Sequence, residues 1–178
     1  MWEHEKVKEI RDSINSFFVG KESVVENMLI CLLAGGHVLL EDVPGLSVYN
    51  MKTGEFEYRA GAVMNQILLA DEINRTSPKT QASLLEAMSE NQVTVDGTVY
   101  PLKAPFMVIA TQNPIEYLGT YPLPEAQMDR FMMKLSIGYP DREQEIKMAS
   151  EFLQGKEVSG LSPVCNAACV EDIKKKAA

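Results

Sequence analysis

Four short apolar runs constrain this chain more than any other feature: residues 37–41 (His-Val-Leu-Leu-Glu), 67–70 (Ile-Leu-Leu-Ala), 106–110 (Phe-Met-Val-Ile-Ala) and 133–137. Apolar runs of this length without polar alternation suit strands buried on both faces, which is the habit of parallel sheets. Helix-period stretches separate them. Val7, Ile10, Ile14 and Phe17 or Phe18 predict a helix over 3–18, ended by Gly20. Val25, Met28, Leu29, Leu32 and Leu33 predict another over 22–34, ended by Gly35-Gly36. Further helices are expected over 79–90 (after Pro78), 125–131, from the capping Asp141 to about 153, and from about 167 onward. Strands alternating with helices give an α/β fold with a parallel-sheet core flanked by helices.

Two hairpins interrupt that rhythm. One is expected over 48–60 around Lys52-Thr-Gly54, the other over 92–102 around Asp96-Gly97. Val43-Pro-Gly45 and residues 114–124 read as loops, and 154–165 as a linker. With 178 residues, 46% of them apolar and 24% charged, one globular domain is expected. A net charge of −8 argues against a protein that coats DNA or anionic membrane, yet allows local phosphate binding by backbone N–H groups. The longest apolar stretch, 28–34, is far below the ~18 residues of a membrane span, and the opening Met-Trp-Glu-His-Glu-Lys lacks a signal-peptide pattern. A cytoplasmic location is the expectation. Cys31 reads as a small core residue. Cys165 and Cys169 stand four apart, but with only His4 and His37 elsewhere a tetrahedral zinc site is not expected. Lys174-Lys-Lys176 reads as a solvated helix end.

Ligands of an open α/β sheet bind beyond the carboxyl ends of its strands. The 67–70 run ends there in Asp71-Glu72. One carboxylate can hold Mg²⁺ while the other orients and deprotonates a water, the logic of phosphoryl transfer; the plain alternative is a solvated acidic turn. Thr111-Gln112-Asn113 ends a neighbouring strand, where a neutral polar group can bond a γ-phosphate or a water, or simply open a loop. Arg130 can stabilise charge on a transferring phosphoryl group or make a surface ion pair with Asp129 or Glu125, and Arg75 presents the same choice.

Val19-Gly-Lys21, His37-Val-Leu-Leu-Glu-Asp-Val-Pro-Gly-Leu46, Leu68-Leu-Ala-Asp-Glu-Ile-Asn-Arg75, Val108-Ile-Ala-Thr-Gln-Asn-Pro114 and Gly119-Thr-Tyr-Pro-Leu-Pro-Glu-Ala-Gln127 with Asp129-Arg-Phe131 run in one order. Together they make the chain resemble the MoxR family of AAA+ ATPases. The resemblance implies a P-loop NTPase core over 1–153 with inserted hairpins, then a linker and the start of a helical lid over 154–178. It implies ATP and Mg²⁺, with Asp71 on the metal, Glu72 as base, Asn113 sensing the γ-phosphate and Arg130 serving a neighbouring subunit. Val19 and Gly20 would line the adenine, and Pro44 and Gly45 would belong to the phosphate loop. A ring, a hexamer in most of this class, and a protein client, of von Willebrand type or a metal-dependent enzyme, are implied as partners. No nucleic-acid signal accompanies them.

One departure is large. Family members follow Val-Pro-Gly-Leu with Gly-Lys-Thr, a helix and a strand; here Leu46 meets Ser47-Val-Tyr-Asn50 directly. The phosphate-loop/helix block is missing. Parallel strands need a crossover of ~10–12 residues or more, so a polypeptide that also lacks the block would leave an apolar face open. The expectation is therefore a block in the protein between Leu46 and Ser47. Two other readings stand beside the ATPase: an inactive scaffold that kept the fold, and a carboxylate-metal hydrolase resting on Asp71 and Glu72, which is short of ligands.

Overall fold

A computed structural model describes residues 5–41, 63–95, 98–112, 120–155 and 162–177. The 48–60 hairpin and three of the expected site residues, Pro44, Gly45 and Asn113, lie outside the described residues.

Helices α1 (Glu5–Asn15) and α2 (Glu22–Ala34) lead into β1 (Val38–Glu41). Then come β2 (Ile67–Ala70), a single 3₁₀ turn (Ile73–Arg75), α3 (Pro78–Glu90) and the strands β3 (Gln92–Val95) and β4 (Thr98–Pro101). β5 (Met107–Gln112), α4 (Glu125–Met128), β6 (Met133–Ser136), α5 (Arg142–Leu153) and α6 (Ala167–Ala177) complete the order. The four apolar runs form one parallel sheet in the order β2-β5-β1-β6, and β3 and β4 pair as the expected antiparallel hairpin.

Local chemistry sets most boundaries. Ser77 caps α3 by accepting the Thr80 N–H, with Pro78 in the first helical position. Asp141 and Gln144 form a capping box on α5. α2 ends where Gly35 turns left-handed at φ 76°. α1 stops earlier than its apolar spacing suggests, because the Ser16 hydroxyl donates to the Ser13 carbonyl in a closing turn.

Two cores flank the sheet. On one face α3 and Phe131 pack against Leu39, Val108 and Ala110, with Leu68 and Ala70 of β2 alongside. On the other, Val24 and Cys31 of α2 cover Val38, Leu40 and Met107, with Ile109, Met133 and Leu135 at the margin. β2 departs from the expectation of full burial: Ile67 and Leu69 are 54% and 63% exposed. The reason is position. Among the described residues β2 is the edge strand, and these two residues pair in register with Met107 and Ile109, extending the α2-covered face beyond the reach of α2.

His37 locks the amino edge of the sheet. Its Nδ1 accepts the Val108 N–H at 2.9 Å, so Nε2 carries the proton it gives to the Met88 carbonyl at 3.2 Å, and its ring meets Phe106 edge-on. Burial lowers its pKa from the ordinary 6.5, against the Met88 bond, which raises it. The unfolded chain therefore takes up this proton first, so the His37 contribution is complete above 6.5 and is lost as pH falls below it. Thermal melts from pH 7.5 to 5 are expected to show Tm falling with pH, and His37→Gln to flatten that slope; an unchanged slope would remove His37 as its source.

Candidate functional site

Because the strands run parallel, their carboxyl ends share one edge, and sequence-adjacent polar residues gather there. Ala70 and Ala110 are paired in register, so Asp71 and Thr111 meet one step later. The Thr111 hydroxyl donates to Asp71 Oδ1 at 2.5 Å and accepts the Glu72 N–H at 2.8 Å. One buried threonine thus holds both members of the acidic pair. Glu72 stands at φ 50°, a left-handed conformation that costs a non-glycine residue about 1–3 kcal/mol. That turn separates the two carboxylates: Asp71 is exposed at the strand end, while Glu72 is half-buried and meets Arg75 Nη1 at 3.5 Å.

The turn is fastened from below. Ile73 is buried, and Gln81 of α3 donates to the carbonyls of Ile73 and Tyr121 at 3.1 and 2.9 Å. Tyr121 in turn donates its N–H to Asn74 at 2.6 Å. At the ends of β5, β1 and β6, Gln112 donates to Glu41, whose carboxylate also pairs with Lys134 at 2.8 Å.

Val19 and Gly20 reach the same edge from outside the sheet. Lys21 Nζ donates to the carbonyls of Ile137 and Tyr139, just beyond β6, and the Ile137 N–H bonds Glu41. Gly20 sits at φ 72° with the Gln144 side chain where a Cβ would be. The backbone sign calls for glycine at that position, whereas the amide end of Gln144 could swing aside.

Arg130 is placed elsewhere. Leu123 and Phe131, buried on either side of α4, hold it at the surface just before β6, where Met132 bonds the His37 carbonyl at the amino edge. Its guanidinium donates to Ser89 near the end of α3, a different partner from the Asp129 or Glu125 of the surface ion-pair alternative. Strands of four to six residues at ~3.3 Å each separate it from Asp71 and Glu72, roughly 13–20 Å. The structure brings Asp71, Glu72, Val19 and Gly20 to one edge and leaves Arg130 at the opposite one.

Hard carboxylate oxygens are the donors that Mg²⁺ prefers, and the Thr111 bond occupies Oδ1 of Asp71, so the residues present fit a single-carboxylate magnesium site. Among the described residues no group of three or more His, Cys, Asp or Glu could hold a metal by itself. No helix among them is long and apolar enough to cross a membrane.

Thr111 and Gln81 make the contacts around the acidic pair that sequence reasoning missed. Thr111 stood beside Asn113, to which the neutral polar role went; only the register of β2 against β5 reveals which side chain meets Asp71.

Comparisons place these features among known proteins. Residues 24–133 match the family described as "ATPase family associated with various cellular activities (AAA)". The chain is 48% identical to YeaC of Bacillus subtilis over 86% of its length, and 40% identical to Chaperone MoxR1 of Mycobacterium tuberculosis over 74%. It spans 58% and 44% of those relatives. A crystal structure of a candidate ATPase from Cytophaga hutchinsonii superposes with TM-score 0.82 at 36% identity, over 96% of this chain and 62% of that one. The two alignments carry a common excess. The YeaC alignment runs over 187 residues but uses 86% of 178, about 153, leaving about 34 positions to the relative alone. The MoxR1 alignment runs over 166 and uses 74%, about 132, again leaving about 34.

Proposed function

Since the chain belongs to the MoxR family of AAA+ ATPases, we propose that it is the nucleotide-binding core of an ATPase that couples ATP hydrolysis to remodelling or maturing a protein partner. The observation that carries this reading is Asp71 and Glu72 held in different postures by Thr111 at the carboxyl edge of the sheet.

In the proposed mechanism Glu72 orients a water and takes its proton as the water attacks the γ-phosphate in line. Asp71 holds magnesium, which when bound neutralises charge on the phosphates. Asn113 bonds the γ-phosphate, and Val19 and Gly20 line the adenine. Arg130, remote from its own acidic pair, stabilises the transferring phosphoryl group in the adjacent subunit of a ring, most simply a hexamer. Residues 1–153 form the core, and 154–178 the linker and start of a lid. The partner is a protein client, of von Willebrand type or a metal-dependent enzyme, and the location is cytoplasmic.

Phosphate transfer also needs the cradle to which Pro44 and Gly45 belong. The protein in the cell is proposed to carry about 34 further residues between Leu46 and Ser47, a helix and a strand among them. Two observations support this: the common excess in the alignments, and the edge strand β2 with Ile67 and Leu69 exposed on a face that α2 leaves uncovered. Intact mass together with peptide mapping across the Leu46–Ser47 junction decides. A mass several kilodaltons above 19.8 kDa with peptides from a segment between Leu46 and Ser47 is expected, whereas a peptide joining Leu46 directly to Ser47 would favour a scaffold that kept the fold without the cradle.

In protein carrying the block, magnesium-dependent phosphate release from ATP tests the reading directly, and release indifferent to Asp71 and Glu72 would overturn it. Thr111→Val should lower kcat about 10- to 100-fold, because a hydrogen bond to a charged group is worth about 1.5–3 kcal/mol. Thr111→Ser should restore most of the loss. Wild-type turnover in the valine variant would show that the threonine does not position the acidic pair.

A further inference from the structure

The carboxyl end of β5 is held differently on its two sides. Against β2 the ladder stops at Ala70 and Ala110, so Thr111, which carries the acidic pair, lies one step past the last β2 partner. What fixes Thr111 laterally is β1, where it pairs in register with Leu40, and the final pair of that ladder is Glu41 with Gln112. Successive side chains of a strand point to opposite faces, so Thr111 and Gln112 diverge. Gln112 Nε2 donates to Glu41 Oε1, and Lys134 of β6 meets the other oxygen at 2.8 Å. Both oxygens are engaged, and only 14% of the Glu41 side chain is exposed although it stands at a strand end. The Glu41 carbonyl accepts the Ile137 N–H at 3.0 Å. One glutamate thus ties the ends of β5, β1 and β6 together.

We propose that Glu41 and Gln112 are positioning residues for hydrolysis, a role that rests on reading Asp71 and Glu72 as the hydrolytic pair: their bond closes the β1–β5 ladder and so sets the Thr111 hydroxyl that holds both acids.

The last pair of a ladder has a neighbour on one side only and opens first. A bond from an amide to a carboxylate resists that opening better than a neutral one, and Lys134 supplies the compensating cation. Without the Gln112 amide, Glu41 turns to Lys134 alone, the ladder frays back to Leu40 and Thr111, and the hydroxyl drifts from Asp71. The two carboxylates remain, so nucleotide still binds with magnesium. What is lost is the alignment of the attacking water, to which turnover is far more sensitive than binding.

Phosphate release and the KM for ATP are measured in protein carrying the block. Gln112→Leu should lower kcat about tenfold and leave KM within about threefold of wild type. Exchanging the pair, Glu41→Gln with Gln112→Glu, rebuilds an amide-to-carboxylate bond and should recover most of the loss, which a general folding defect would not allow. Thr111→Val already removes the group through which the pair acts, so adding Gln112→Leu to it should cost no more than about twofold further. A kcat unchanged in Gln112→Leu, a loss carried by KM alone, no recovery in the exchanged pair, or losses that multiply in the double variant would each overturn the proposal. Wild-type protein that releases no phosphate from ATP with magnesium would instead overturn the ATPase reading itself.

Discussion

Glu72→Gln, introduced into protein that carries the complete phosphate cradle, should bind ATP as the wild type does and lose about 10²- to 10⁴-fold in kcat. Glutamine keeps the shape and the left-handed backbone at this position, and the Thr111 bond to the Glu72 N–H does not depend on the side chain. What it removes is the carboxylate proposed to accept a proton. Binding is left to Asp71, Asn113 and the adenine segment, so the variant should accumulate as an ATP-bound oligomer. Equal losses of affinity and turnover would mean that Glu72 serves the fold and not the proton transfer.

Arg130→Ala is the second large effect, with kcat expected to fall about 10³-fold or more while ATP binding is kept. The geometry makes this prediction unusual. Arg130 lies at the amino edge of the sheet with Ser89, roughly 13–20 Å from its own Asp71 and Glu72, so it cannot reach its own site. Mixing the Arg130→Ala and Glu72→Gln proteins should therefore restore activity, because an Arg130→Ala subunit beside a Glu72→Gln subunit meets an intact base and an intact arginine. Restoration in mixtures would be hard to obtain from any arrangement within one subunit. A mixture as inactive as its components would place Arg130 in a purely structural role.

Much of this was legible in the chain. Unbroken apolar runs flanked by helix-period stretches specify a parallel sheet, and parallel strands oblige the residues after Ala70 and Ala110 to share an edge. What was not legible depends on pairing between distant segments. Burial of residues 67–70 was misread because a run of Ile and Leu does not reveal whether a strand is central or at an edge. The role of Thr111 rests on the β2–β5 register, and the separation of Arg130 from the acidic pair on the direction in which α3 and the strands run. Gly20 was recognisable as a helix breaker, but not as a left-handed residue packed under the amide of Gln144. Cys165 and Cys169 were seen as four apart, and only the cap at Asn166 shows that Cys169 stands in the first turn of α6.

The proposed block between Leu46 and Ser47 is tested most directly by ATP titration, with magnesium, of the 178-residue chain beside the same chain with a phosphate-loop segment of about 34 residues taken from YeaC inserted there. The account predicts no saturable binding to the shorter chain, and binding in the ~1 µM–1 mM range by the longer one with phosphate release that depends on Glu72. Tight ATP binding and Glu72-dependent turnover by the 178-residue chain alone would contradict it.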